Sequence, residues 1–223
     1  MSVIHRTTLT PTKLELLTAW LPEQPWYRGK AGQRPELVKS GGFRLDDPEG
    51  EVGIEFMAAT DTSGDHPVTY HVPFTYRAAP MPGADEALIG TTEHGVLGQR
   101  WVYDGTRDPV LVAQLFALFV GEAEPQMQSI SDTPDPSVTA RFTESGVKAA
   151  IASTTATDDP DGTDLLVETA SDGRRLTLHI PRVLRPGKDT AEPSAPLGDI
   201  TAGWPLPDGT TARAVFATVH ARP

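Results

Sequence analysis

Val68-Thr69-Tyr70-His71-Val72-Pro73-Phe74-Thr75-Tyr76 carries an apolar or aromatic side chain at each even position. Strand side chains alternate between two faces, so this period of two predicts an antiparallel strand with one face covered. Pro73 has no N–H to give a ladder, which places the strand at a sheet edge or predicts a bulge there. Just upstream, Val52, Ile54, Phe56 and Ala58 repeat the pattern, and residues 60–64 read as the intervening turn. Downstream, Ala87-Leu88-Ile89-Gly90 and residues 96–103 predict two further strands around a turn at 91–95.

Helices flank this strand set. Thr10-Pro11 offers a capping hydroxyl followed by proline in the first turn, Leu14, Leu17 and Leu21 follow at helical spacing, and Pro22 ends the run. Asp108-Pro109 repeats that start, Leu111, Leu115 and Leu118 with Val112, Phe116 and Phe119 give a broad apolar face, and Gly121 closes it. Residues 122–137 are polar and proline-bearing, and 129–137 read as a linker. Beyond it, strands are predicted at 138–143, 147–153, 165–169, 175–183 and 212–219. Glu144-Ser145-Gly146 and Ser171-Asp172-Gly173 read as hairpin turns, and Asp158-Asp159-Pro160-Asp161-Gly162 as a longer acidic one. Residues 185–204 are rich in Pro and Gly, show little periodicity and read as a surface loop. The expected fold class is α+β and strand-rich. It has an antiparallel sheet packed with two main helices over residues 1–128, and an accessory antiparallel β-unit over 138–223 that either stands alone or extends the first sheet.

Composition narrows the function classes. The 223 residues carry 19 Lys+Arg against 30 Asp+Glu, a formal charge of −11. An acidic chain repels phosphate backbones and anionic lipid, so neither nucleic acid nor a membrane surface is an expected partner. No apolar run approaches the ~20 residues that span a bilayer, and the first residues lack the apolar core of a secretory signal. The expected location is the cytoplasm. With no Cys, disulfides, thiolate nucleophiles and Cys-based metal sites are excluded.

No G-x-x-x-x-G-K-[ST] loop, G-x-G-x-x-G turn, H-E-x-x-H pair, G-x-S-x-G elbow or kinase catalytic loop occurs. The six His, at 5, 66, 71, 94, 179 and 220, show no helical metal-ligand spacing. His66 and His71, five apart, fall on opposite strand faces. Glu93-His94-Gly95 reads as a turn, and the Asp158, Asp159 and Asp161 cluster lacks the spacing of a calcium loop. No metal or cofactor is expected. The most concentrated chemistry is Trp26-Tyr27-Arg28 with Lys30 and, nearby, Arg34. Aromatic faces stack on sugar rings, and arginine forks bind carboxylates or phosphates. The competing role has Trp26 and Tyr27 plugging the sheet while Arg28 pairs with an acidic neighbour.

Ala19-Trp20-Leu21-Pro22, leading into Gln24-Pro25-Trp26-Tyr27-Arg28-Gly29-Lys30, resembles the opening of the maltokinase N-terminal cap domain. Tyr70-His71-Val72-Pro73-Phe74, Ala87-Leu88-Ile89-Gly90, and Val102-Tyr103-Asp104-Gly105 followed by Asp108-Pro109 keep that family's order. The resemblance spans residues 5–128 and implies a curved antiparallel sheet with helices. In that family the cap stands ahead of a kinase body that phosphorylates maltose with ATP, and no residue here matches that body's phosphate-clamping, catalytic or magnesium-binding positions. The implied function is a stand-alone, non-catalytic interaction or regulatory module of α-glucan, maltose or trehalose metabolism. It would take an enzyme partner or a small saccharide through Trp26, Tyr27, Arg28 and Lys30. The alternative is an enzyme or enzyme subunit of the same pathway, a sugar phosphotransferase or glucan-modifying activity, with Glu93, Asp104 or Asp108 in its site.

Overall fold

A computed structural model describes residues 8–30, 32–187, 196–206 and 210–222. His5 and residues 188–195 of the expected loop lie outside them.

Seven strands build the first sheet: β1 (Leu9–Thr10), β2 (Leu37–Leu45), β3 (Gly53–Asp61), β4 (Val68–Arg77), β5 (Leu88–His94), β6 (Gly98–Asp104) and β7 (Gln126–Met127). Their order is β1-β5-β6-β4-β3-β2-β7, with every pairing antiparallel. Register shifts at Lys39/Gly41 in β2 and Leu88/Gly90 in β5 curl the sheet, as bulges do. The second sheet takes β8 (Thr139–Phe142), β9 (Ile151–Asp158), β10 (Gly162–Thr169), β11 (Arg175–Pro181), β12 (Gly198–Pro205) and β13 (Thr211–Ala221) in the order β8-β12-β13-β11-β10-β9. With helices α1 (Lys13–Trp20) and α2 (Pro109–Val120) the fold is the expected strand-rich α+β class.

Several elements differ from expectation for identifiable reasons. β4 lies inside its sheet, between β3 and β6, without a bulge. Its backbone N–H at His71 points away from β3, to Arg182 O, and by strand alternation the nitrogen of Pro73 points the same way. The β6 ladder begins only at Phe74, so the missing donor falls where no strand pairs. Both faces of β3 and β4 are covered, not one. The first helix is capped by Thr12, not Thr10: its hydroxyl accepts from Glu15 N–H while the Glu15 carboxylate accepts from Thr12 N–H, a capping box. β5 runs through residues 91–94, and the hairpin turn sits at 95–97. β9 starts at Ile151, so residues 147–150 precede the strand. Residues 144–146 join β8 to β9, which pair with different strands, so they make no hairpin. Residues 198–205, expected within a loop, form β12 in the sheet interior. Gly198, Ile200, Ala202 and Trp204 alternate inward there, a period of two disguised by small residues.

The Asp108 cap, Pro109 start and Gly121 finish of α2 are as expected, with Gly121 at φ 80°. The helix is buried with the inner faces of both sheets in one apolar cluster that holds Phe43, Phe56, Leu115, Phe116, Leu178, Trp204 and Phe216. The strands after residue 137 do not extend the first sheet, yet they share this core with it. A side-chain carbon on Gly41 of β2 would lie 2.8 Å from Trp204 Cβ, so glycine permits the close approach of β12. A second cluster, with Leu17, Leu21, Trp26, Tyr70, Val72 and Phe74, fills the space between α1 and the other face of β4.

Candidate functional site

After α1 a short 3-10 turn, Leu21–Glu23, swings the chain beneath the first sheet and delivers residues 26–30. Trp26 is fully buried, with its ring centroid 5.6 Å from that of Trp20 and 6.1 Å from that of Tyr70. The Arg182 guanidinium lies 5.0 Å from the same ring, a cation–π contact. Tyr27 stacks on Tyr70 at 5.7 Å, and burial, with Asp61 close by, raises its phenol. Tyr70 accepts a hydrogen bond from Arg28 N–H at 2.9 Å, and burial pushes its hydroxyl up to about 12. The two cations point outward. Arg28 Nη2 donates to Pro160 O at 2.5 Å and stands 3.8 Å from Asp161. Lys30, 71% exposed, stands 3.6 Å from Asp65. The four residues therefore form a tethered strap: two aromatics hold it down and two cations face solvent.

Arg28 also borders an open groove of about 570 Å³ on the second sheet, lined among others by Asp161, Asp164, His179, Val183 and His220. Asp164, His179 and Thr218 lie directly opposite one another on β10, β11 and β13. His179 Nδ1 meets Asp164 Oδ1 at 2.7 Å. Burial opposes charging of this imidazole, but the Asp164 hydrogen bond and charge, with Asp159 and Asp161, outweigh it and raise its pKa. The bond to His179 holds the Asp164 carboxyl below its ordinary value. An imidazole oriented by a carboxylate beside an open groove can donate, accept or exchange a proton. Sequence reading missed this pair. Equal steps outward from the turn residues Ser171-Asp172-Gly173 place Ile180 opposite Asp164. The hairpin is instead closed by Thr169 and Arg174, which shifts the register by one and brings His179 there, so the sequence alone gave no signal for the pair.

Two of the three carboxylates considered for an enzyme are engaged elsewhere. Asp104 is buried and takes a 2.6 Å hydrogen bond from Arg182, which is fully buried and also donates to Thr163 Oγ1 and Thr106 Oγ1. Asp108 is fully buried, accepts from Thr75, caps α2 at Val110 N–H, and holds Arg77 through two 2.7 Å bonds. Glu93 is exposed on β5, opposite Gln99. His71 is fully buried with Nδ1 3.1 Å from Pro181 O; burial, with Arg182 adding, pushes it down to about 3. His66 is exposed. Among the described residues, no three or more His, Asp and Glu side chains gather in a way that could hold a metal ion, and no helix is long and apolar enough to cross a membrane.

A curled antiparallel sheet, clamped by a short N-terminal helix and a tryptophan strap, defines a cap-like α+β module. Residues 20–108 match the family model of the maltokinase N-terminal cap domain. The matched segment holds the strap, β2 to β6 and the Asp108 cap, and it is similar to that cap domain over less than half of the chain. No curated protein matches the chain.

Proposed function

We propose that the protein is a non-catalytic interaction or regulatory module of α-glucan, maltose or trehalose metabolism, acting in the cytoplasm by docking an enzyme or a small saccharide. The observation that carries this reading is the strap inside the cap-family segment. Trp26 and Tyr27 are spent on packing, and Arg28 and Lys30 are presented on a pre-ordered surface beside the groove. Pre-ordering lowers the entropy lost on binding. Residues 1–128 act as the cap, 129–137 as a connection, and 138–223 as an accessory sheet that buttresses it through the common core. An enzyme or enzyme subunit of the same pathway is the second reading, with Glu93 as its remaining exposed carboxylate among the three considered. Its cross-strand neighbours among the described residues, Thr10 and Gln99, supply no second carboxylate for the paired-carboxylate work of glycosidic cleavage.

The test is capture from native lysate by the tagged protein and by an Arg28→Glu/Lys30→Glu variant, with calorimetric titration of both against maltose, trehalose and maltooligosaccharides. A pathway enzyme or a saccharide should bind the parent and be lost from a variant that keeps its circular-dichroism spectrum. Binding that survives both charge reversals would remove the strap from the account, and absence of both ligands would empty the reading.

A further inference from the structure

Glu55 of β3 is 3% exposed, and its two carboxylate oxygens are taken by different side chains. Lys13 Nζ donates to Oε2 at 2.5 Å, and Gln128 Nε2 donates to Oε1 at 2.6 Å. The Tyr76 hydroxyl donates to Oε2 at 3.2 Å. A carboxylate only accepts, so it is the NH2 end of Gln128 that faces Glu55. The Lys13 ammonium also lies 5.3 Å from the Tyr76 ring and 5.9 Å from the Phe74 ring. One buried base thus holds an amine on one oxygen and a primary amide on the other.

The topology gives this meeting point its interest. Lys13 opens α1 just after edge strand β1, and Gln128 directly follows β7, at the opposite end of the seven-strand order. Glu55 lies opposite Phe74, on the sheet face that α1 covers. The curled sheet therefore brings chain from both of its edges to one carboxylate. Amide exchange needs an amine nucleophile, a carbonyl carbon with a nitrogen leaving group, and a group that moves protons from the first nitrogen to the second. Those three groups are assembled here, and holding them together supplies the orientation that such a slow reaction needs. Burial opposes the charged form of Glu55, but Lys13, with Lys39 and Tyr76, holds its carboxyl below the ordinary value. The base is therefore in its accepting form.

We propose that the protein joins Lys13 to Gln128 by an isopeptide bond, with Glu55 as the proton carrier. Glu55 Oε2 takes a proton from the Lys13 ammonium, and the freed Nζ attacks Gln128 Cδ, pushing the carbonyl electron pair onto oxygen. When that pair returns, the Cδ–Nε2 bond breaks and Nε2 leaves with its electrons. Two Nζ protons pass in turn through Glu55 to Nε2, which departs as ammonium. One ammonium replaces another, Glu55 ends as it began, and no oxidant or second reactant is consumed. The product closes residues 13–128 into a ring and staples the two edges of the first sheet, whatever the strap docks.

Intact mass spectrometry of the full chain reads the bond as the loss of one ammonia, ~17 Da. The signal is clean because the chain has no Asn that could lose ammonia by ring closure. Folded protein held at mildly alkaline pH should reach the lower mass, and peptide mapping should find Lys13 joined to Gln128 and resistant to trypsin. Lys13→Arg, which keeps a cation against Glu55, and Gln128→Met should each keep the full mass with an unchanged circular-dichroism spectrum. Lys39→Arg should convert like the parent. Glu55→Gln should keep the full mass; if it does not fold, the Lys13 and Gln128 variants carry the test. A parent that holds its full mass through prolonged incubation would overturn the proposal. So would an ammonia loss that persists in Lys13→Arg or Gln128→Met, or one that maps to another pair.

Discussion

Asp104 can be made to report whether it is a structural latch or a reacting group. It joins β6 of the first sheet to Arg182, which follows β11 of the second, at 2.6 Å with both side chains out of solvent. Asp104→Asn keeps the volume and removes the charge that balances a fully buried guanidinium. Breaking a buried pair by removing one partner costs about 3–5 kcal/mol, because the remaining charge is stranded. A domain has only ~5–15 kcal/mol in total, and at a urea slope of ~2 kcal/mol/M the midpoint should fall by roughly 2 M. The stranded charge is the reason for the loss, so removing Arg182 as well should restore much of it. The assay is urea unfolding of the parent, Asp104→Asn, Arg182→Met and the double variant, followed by tryptophan fluorescence. Trp26 lies against Arg182 and reports on the same place. The latch predicts a double variant more stable than Asp104→Asn alone and a coupling energy well above the ~0.5 kcal/mol of independent sites. An Asp104→Asn loss below about 1 kcal/mol, or a double variant that loses the sum of the two, would refute the reasoning.

Three further outcomes follow from packing and protonation. Trp26→Ala should cost about 3–5 kcal/mol of unfolding free energy by emptying the space between α1 and β4; a variant of parental stability would show that Trp26 is not a packing residue. Gly105→Ala places a carbon 2.2 Å from Leu111 Cδ1 and 3.2 Å from Phe74 Cα, and should lower stability by about 1–3 kcal/mol in chemical unfolding; no loss would mean that α2 gives way freely. His71 is held neutral with its pKa pushed down to about 3, below the unfolded value of ~6.5. The unfolded chain therefore takes up the proton first, and the stability present above pH ~6.5 is lost as pH falls towards about 3, at roughly 1.4 kcal/mol per unit. Between pH 6.5 and 5 that is ~2 kcal/mol, so His71→Gln should lose that much less than the parent; an unchanged pH slope would place the proton uptake elsewhere.

What could be read from the sequence follows from where the determining interactions lie along the chain. α2 was legible because Asp108, Pro109 and Gly121 mark its ends locally, and β3 and β4 because one apolar set repeats at period two. The covering of their other face was not legible. Thr75 and His71 look like solvent residues until a second sheet and α2 from far along the chain bury them. β12 was lost for the same reason, since Gly198 and Ala202 become core positions only against β13 and β8. At the site, the aromatic and basic cluster was visible, but its partition into a buried Trp26 and an outward Arg28 depended on Tyr70 and Arg182, far off in sequence. Asp104 looked available for chemistry because Arg182 lies 78 residues away.

The claim at the centre is that this cap-like module binds and does not turn over substrate. The most direct test is a coupled ATP-consumption and glucan-branching assay on the pure protein with maltose, trehalose and maltooligosaccharides. The account predicts rates equal to the protein-free blank at every enzyme concentration. Turnover that scales with protein concentration and disappears in a folded Glu93→Gln variant would contradict it.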